Sequence, residues 1–179
     1  MNVIITGASK GLGRAIAEKF AASGNNLFVC SRSEVQLYNM MDEMMLQYPQ
    51  CHIKARPADL SQKDQAVEFG NWCLQYGIPG ILINNAGLFV PGGVHDEPDG
   101  ALEEMIAVNL YSAYYLTRTV LPKMIEAGNG HIFNMCSIAS IAAYNNGGAY
   151  SISKFALLGF SKNLREEMKP HNIKVTSIL

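Results

Sequence analysis

The sequence lacks any excess of charge of one sign. Its 14 basic and 15 acidic side chains leave a formal net charge of -1, which offers no electrostatic footprint for nucleic acid or an anionic membrane surface. Long apolar runs are missing too, since none approaches the roughly 18 residues of a bilayer-crossing helix. No signal-peptide pattern precedes the first apolar strand, which begins two residues from Met1, so the expected location is the cytoplasm. Cysteine is sparse: Cys30, Cys51, Cys73 and Cys136 are scattered without a Cys-x-x-Cys pair, as free thiols in a reducing compartment are. His52, His95, His131 and His171 are equally dispersed, and no structural metal site is expected. No repeat, low-complexity tract or interdomain linker interrupts the chain. With 49% hydrophobic and 16% charged residues over 179 positions, the composition suits one domain that buries a substantial core.

What is present is a glycine pattern in an informative place. Val3-Ile4-Ile5-Thr6 reads as a buried strand, because the apolar run is too short for a helix. Gly7, Gly11 and Gly13 follow in the spacing Gly-x-x-x-Gly-x-Gly, enclosing Ser9 and Lys10, and an amphipathic run opens at Leu12 and continues to Phe20. Glycines between a strand and a helix let the backbone approach a ligand, and the free N–H groups and dipole of the new helix favour a phosphate. The plainer reading is an ordinary strand-to-helix turn. The placement of the glycines favours the phosphate site.

Further along, strands and helices alternate. The first helix ends at Gly24 after Ser23, in the manner of a C-cap glycine. Asn26–Cys30 is a second apolar strand. Ser33, with Gln36 three residues on, begins a helix in which Leu37, Met40, Met41, Met44 and Met45 recur at helical spacing as core filler, before Pro49 stops it. Cys51–Arg56 is a third strand and Ser61–Tyr76 a helix with Val67, Trp72 and Leu74 among its apolar positions. Gly80–Ile83 is a short, wholly apolar fourth strand. Beyond Asn84-Asn85-Ala86-Gly87 and a loop rich in glycine and proline to Gly100, a long helix is expected over Ala101–Val120, with a bend near Pro122. Gly130–Met135 is a fifth strand, Ser137–Gly148 an irregular connection, Ala149–Met168 a helix closed by Pro170, and Asn172–Leu179 a sixth strand. Such alternation gives an α/β fold, a doubly wound parallel sheet between two helical layers, with strand order 3-2-1-4-5-6 and the glycine turn at the switch point where ligands bind.

The residues after the second strand bear on the nucleotide. A dinucleotide fold places an acid there for a free ribose 2′-hydroxyl, or an arginine for a 2′-phosphate. The chain reads Cys30-Ser31-Arg32-Ser33-Glu34. Arg32 stands where the acid is expected and Lys10 adds a second cation, so NADP(H) is expected over NAD(H). Glu34 is the competing candidate for NAD, but it falls in a first helical turn, where acids are common for dipole reasons. Arg32 taken alone is also compatible with a solvated surface charge. Asp59, in Ala58-Asp59-Leu60-Ser61, either accepts the adenine amino group or caps the next helix.

Tyr150 and Lys154 are four apart on a predicted helix and share one face, which Leu157, Ser161, Leu164 and Met168 continue inward. A desolvated ammonium near a phenol favours phenolate, which makes a tyrosine a usable acid for a carbonyl or base for an alcohol. Ser137, at the end of the fifth strand, is placed to hold the same oxygen, and hydride must come from a nicotinamide because no side chain supplies one. Asn109 lies on the core face of its helix beside Leu102, Met105, Ile106, Ala113 and Leu116; a buried amide there is either structural or part of a polar relay.

The set Thr6-Gly7-x-x-x-Gly11-x-Gly13, Asn84-Asn85-Ala86-Gly87, Asn109, Ser137 and Tyr150-x-x-x-Lys154 resembles the short-chain dehydrogenase/reductases, in order and over the whole chain. The resemblance implies a catalytic group of Asn109, Ser137, Tyr150 and Lys154. Tyr150 would be the acid/base, and Lys154 would assist it and bind the nicotinamide ribose. Ser137 would orient the carbonyl, and Asn109 would anchor a water linked to Lys154. Thr6, Gly7, Ser9, Lys10, Gly11, Leu12 and Gly13 would hold the dinucleotide together with Ser31, Arg32, Asp59, Leu60, Asn85, Ala86 and Gly87. The family continues past the sixth strand with a Pro-Gly turn, a substrate-covering segment and a seventh strand, whereas this sequence stops at Ser177-Ile178-Leu179; a truncated or naturally short form is expected.

Rival readings are weaker in motif content. Ser151-Ile152-Ser153-Lys154 matches the Ser-x-x-Lys of some hydrolases, but its companion motifs and Gly-x-Ser-x-Gly are missing. A nucleotide-sugar epimerase would need a large C-terminal domain. A regulatory or scaffold protein that binds NADP without turnover is the remaining alternative. Ile152, Phe155, Ala156, Gly159 and Phe160, with Tyr111, Tyr114 and Tyr115, form a second apolar stripe, which predicts a dimer or tetramer through the helices 101–120 and 149–168. The substrate, a small carbonyl or alcohol, is expected to meet residues Leu88–Gly100 and Ile138–Gly148, in which His95, Asp96 and Glu97 read as solvated loop residues.

Overall fold

Val3 and Ile5 leave the first strand toward one side and Ile4 toward the other, and all three are inaccessible to solvent. A strand apolar on both faces needs a helical layer on each, and the computed structural model, which describes all residues from Met1 to Leu179, has that architecture. Strands β1 Asn2–Thr6, β2 Asn26–Cys30, β3 Ile53–Ala55, β4 Ile81–Asn84, β5 Gly130–Met135 and β6 Ile173–Ile178 form one sheet in the order β3-β2-β1-β4-β5-β6. Every pairing is parallel, with Val3 opposite both Leu27 and Ile81.

Helices α1 Gly11–Ala22 and α2 Glu34–Gln47 cover one face, where Val3, Ile5, Leu27, Val29 and Ile83 meet Ala17, Ala21, Leu37, Met40 and Met44. The other face carries α3 Lys63–Leu74, α5 Ser112–Ala127 and α6 Gly148–Met168, which pack Phe69, Leu116, Val120, Met124 and Leu164 onto Ile4, Phe28, Leu82 and Ile132. The period-2 alternation of each strand thus divides the apolar residues between two cores. A short α4, Ala101–Ile106, precedes α5. No helix is long and apolar enough to cross a membrane.

Several boundaries depart from the sequence expectation for physical reasons. Leu37, Met40 and Met44 are buried, but Met45 is exposed and Met41 only half-buried, because the helical stripe that faces the sheet is narrow. The third strand shrinks to the three residues Ile53–Ala55 that pair with β2, at one edge of the sheet. Leu102 points to solvent rather than to the core. The largest revision concerns the long helix. It runs through Pro122 as far as Ala127, and the irregularity lies earlier, in a π-helical turn at Ala107–Tyr111 where the Ser112 N–H donates to the Ala107 carbonyl. Pro122 faces solvent, so water can satisfy the carbonyl that its missing N–H leaves free.

Candidate active site

The turn after β1 is built from glycines because side chains would not fit. Gly7 has φ 64° and Gly11 φ 56°, values that L side chains rarely adopt. A Cβ on Gly13 would collide with the Gly7 carbonyl oxygen and with Asn85 Nδ2. That amide holds the turn in place, donating to the carbonyls of Thr6 at 2.9 Å and Gly7 at 3.1 Å. The Thr6 hydroxyl is turned away, accepting from the N–H groups of Asn85 at 2.9 Å and Ala86 at 2.8 Å. Thr6 therefore fastens β1 to the end of β4 and takes no place in the cleft wall.

The cleft itself, about 380 Å³, opens over the C-terminal ends of the central strands and the N-terminus of α1. Gly7, Ser9, Lys10, Gly11, Leu12 and Gly13 form its floor, Ser31 and Arg32 one end, Asp59 and Leu60 the far wall, and Asn85, Ala86 and Gly87 the near wall. Of the expected cofactor-binding residues, all line it except Thr6, Tyr150 and Lys154. Val108, within the π turn, and Ser112, just after it, also line it; nothing in the sequence marks them, because an extra residue in a helical turn leaves no pattern in composition.

Lys10 and Arg32 are exposed at this cleft, and neither engages a carboxylate, whereas Arg14 is held by Glu18 and Glu43. Ser31 donates to the Ser33 carbonyl at 3.2 Å, and the Ser33 hydroxyl caps α2 by accepting from the Gln36 N–H at 3.4 Å. Asp59 closes a turn by accepting from the Ser61 N–H at 3.1 Å and lines the cleft. It does not cap α3, which begins four residues on at Lys63 with Gln62 as its N-cap and no side-chain cap, so of the two uses foreseen only the one at the cleft fits its position.

Tyr150 and Lys154 sit one turn apart near the start of α6. The Lys154 ammonium lies 5.8 Å from the centroid of the Tyr150 ring and donates to the Met135 carbonyl at 2.8 Å. Lys154 is buried, and burial pushes its pKa below the ordinary lysine value, offset in part by Cys136. The Tyr150 ring packs edge-on against Phe89 at 4.8 Å. A Cβ on Gly87 would lie 3.4 Å from Asn109 Oδ1 and 3.7 Å from Lys154 Nζ, so the near wall of the cleft runs directly into this group.

Asn109, on the π turn, is saturated by protein. Its Oδ1 accepts from the Leu88 N–H at 2.7 Å, and its Nδ2 donates to the Leu88 carbonyl at 2.9 Å and to Ser153 Oγ at 2.8 Å. Ser153 in turn donates to the Tyr150 carbonyl at 2.7 Å. The side chain of Asn109 thus acts as a clamp between the loop after β4 and the first turn of α6. Ser153, unmarked in the sequence except as part of the Tyr-x-x-x-Lys spacing, is its partner. Ser137 lies two residues beyond the end of β5, and its hydroxyl accepts from the Ala139 N–H at 3.2 Å, which leaves its proton free to donate. Glu97, expected to be a solvated loop residue, is instead half-buried: its carboxylate accepts from the Ala149 N–H at 2.9 Å, next to Tyr150.

Known proteins share this fold. The short chain dehydrogenase family matches residues 1–179, the whole chain. Dehydrogenase/reductase SDR family member 7B of Xenopus tropicalis is 35% identical over 181 residues, covering 98% of this chain, which spans 59% of that protein's length. A metagenomic short-chain oxidoreductase crystallised in complex with NADP superposes with a TM-score of 0.92 at 31% identity, over 99% of this chain and 80% of the other. A short-chain dehydrogenase from Sphingobium yanoikuyae in complex with NADPH gives 0.91 at 30% identity, over 98% and 68%. With its sheet order, its glycine turn and a match from end to end, this chain belongs to the short chain dehydrogenase family of oxidoreductases.

Proposed function

We propose that the protein interconverts a carbonyl and a secondary alcohol with NADP(H), using Tyr150 as general acid and base. One observation carries this reading: a buried ammonium, that of Lys154, held by the Met135 carbonyl within 5.8 Å of the Tyr150 ring where the cleft wall ends. A lysine is rarely buried without a task, and this one supplies positive charge beside the phenol that gives or takes the proton.

Residues 1–179 act in this reading as one dinucleotide-binding domain. The glycine turn and the N-terminus of α1 receive the pyrophosphate, and Asn85, Ala86 and Gly87 border the adjoining ribose. The unpaired cations Lys10 and Arg32 favour a 2′-phosphate, and the relatives crystallised with NADP and NADPH support the same cofactor class. When bound, the nicotinamide supplies the hydride. Ser137 donates to the substrate oxygen, Tyr150 exchanges its proton with that oxygen, and Lys154 stabilises the phenolate left behind. Asn109 keeps Leu88 and Ser153 in place around them. The substrate side is bordered by residues 88–100 and 138–148, and the protein assembles as a dimer or tetramer through the helical segments 101–120 and 149–168.

The test is NADPH oxidation by the full-length protein with a panel of aldehydes and ketones. Turnover is expected with NADPH in preference to NADH. Tyr150→Phe is expected to lower kcat by about 100-fold or more with NADPH affinity intact. A protein that binds NADPH, turns over no carbonyl and is indifferent to Tyr150→Phe is a binding module instead.

A further inference from the structure

Helix α6 starts without help from its own sequence. Gly147, the residue before its first turn, has no side chain to cap it, and the turn contains no acidic residue. Free N–H groups at a helix start need acceptors, and one comes from 52 residues upstream, where Glu97 Oε2 meets the Ala149 N–H at 2.9 Å. The loop that carries Glu97 is shaped for this. Gly93 N–H donates to Asp96 Oδ1 at 2.8 Å, and the N–H groups of Asp96 and Glu97 both return to the Gly93 carbonyl, at 3.1 and 2.9 Å. The Gly92 N–H donates to the Asn146 carbonyl at 3.3 Å. Gly148, with φ 29°, has room for no Cβ, because one would lie 2.5 Å from both Glu97 Oε2 and the Gly92 carbonyl oxygen.

The same loop is anchored at its other end by the Asn109 clamp on Leu88, and between the two anchors Phe89 packs on the Tyr150 ring. We propose that Glu97 is a positioning residue for Tyr150. Its carboxylate caps the helix one residue before the phenol and latches the 88–97 loop to that helix, so the ring and the loop that borders the substrate side are held as one unit. This inference rests on the acid/base reading of Tyr150.

The experiment uses the full-length protein as wild type, Glu97→Ala, Glu97→Gln, Gly148→Ala and Tyr150→Phe, with two readouts. Amide hydrogen exchange at Ala149–Ile152 is expected to accelerate about five- to tenfold in Glu97→Ala, the effect of a lost helix cap, while the β1 amides stay unchanged. In NADPH-dependent reduction of the best carbonyl of the panel, kcat is expected to fall about tenfold with the KM for NADPH unaltered. Glu97→Gln keeps an acceptor oxygen and should fall between alanine and wild type. Gly148→Ala, which displaces the carboxylate, should resemble Glu97→Ala. Unchanged exchange in Glu97→Ala overturns the latch. Faster exchange with unchanged kcat reduces it to a structural cap and overturns the positioning role. If Glu97→Ala does not fold, the glutamine variant decides by the same two readouts. Full turnover in Tyr150→Phe removes the acid/base reading alone and leaves the exchange result to judge the latch.

Discussion

Lys154 makes one hydrogen bond, to the Met135 carbonyl, and is otherwise surrounded by protein. Burial disfavours its charged form, so its folded pKa lies below the ordinary value of 10.5. The sign for stability follows from linkage. Below the folded pKa the desolvation penalty is present in full. Between the folded and unfolded values the unfolded chain binds more protons, and stability rises with pH. Replacing the lysine by an apolar residue of similar length removes the penalty at the loss of one hydrogen bond, worth about 1 kcal/mol. Lys154→Met is therefore expected to melt no lower than wild type at pH 7, with the gap in its favour closing as pH approaches 10.5, while turnover falls about 100-fold or more. Thermal melts at pH 7 and pH 10 check the first part; a melting point well below wild type at pH 7 would show that the ammonium stabilises the fold. Tyr150 and Lys154 were legible in the sequence because one helical turn relates them. Glu97 was read as a solvated loop residue, because nothing local announces that its carboxylate meets a helix start far along the chain.

Among the elements, the glycine turn is the one with least freedom to vary. Gly13→Ala would drive its new methyl into the Gly7 carbonyl and the Asn85 amide, both of which belong to the cleft floor and its brace. Overpacking of this kind costs about 1–3 kcal/mol. The expected outcome is a loss of unfolding free energy in that range, read from urea denaturation, together with at least a tenfold weaker NADPH affinity, measured by fluorescence titration. Unaltered affinity would mean that the turn is not where the pyrophosphate lies. The strands and most helices were readable because each is a short run with its own period. The π turn was not. Asn109 on it reaches both Leu88 and Ser153, and the irregularity lies there rather than at Pro122, which faces water within a continuous α5.

On the scale of the whole molecule, two cores back one sheet, and what remains uncovered is informative. Ile152 and Phe155 of α6 and Tyr111 at the π turn are each between 44% and 45% exposed, and Tyr114 and Phe160 of the same two helical segments pack edge-on against each other. These residues are too apolar to favour water on a face this continuous. Light scattering at micromolar concentration is expected to give a dimer or tetramer of the full-length protein, and Phe155→Glu should shift it toward monomer; a monomeric wild type would sink the proposed assembly.

The sequence by itself determined the alternation of strands and helices, the strand order that right-handed crossovers permit, the glycine turn at the switch point and the pairing of Tyr150 with Lys154. All of these are encoded by periodicity within an element or by the order of elements. Tertiary structure alone decided that Thr6 braces β4, that Asn109 grips Leu88 and Ser153, and that Glu97 caps α6. Those contacts join residues 79, 21, 44 and 52 positions apart. Which free backbone group a polar side chain finds across such a separation depends on how the elements dock, and no local pattern records that.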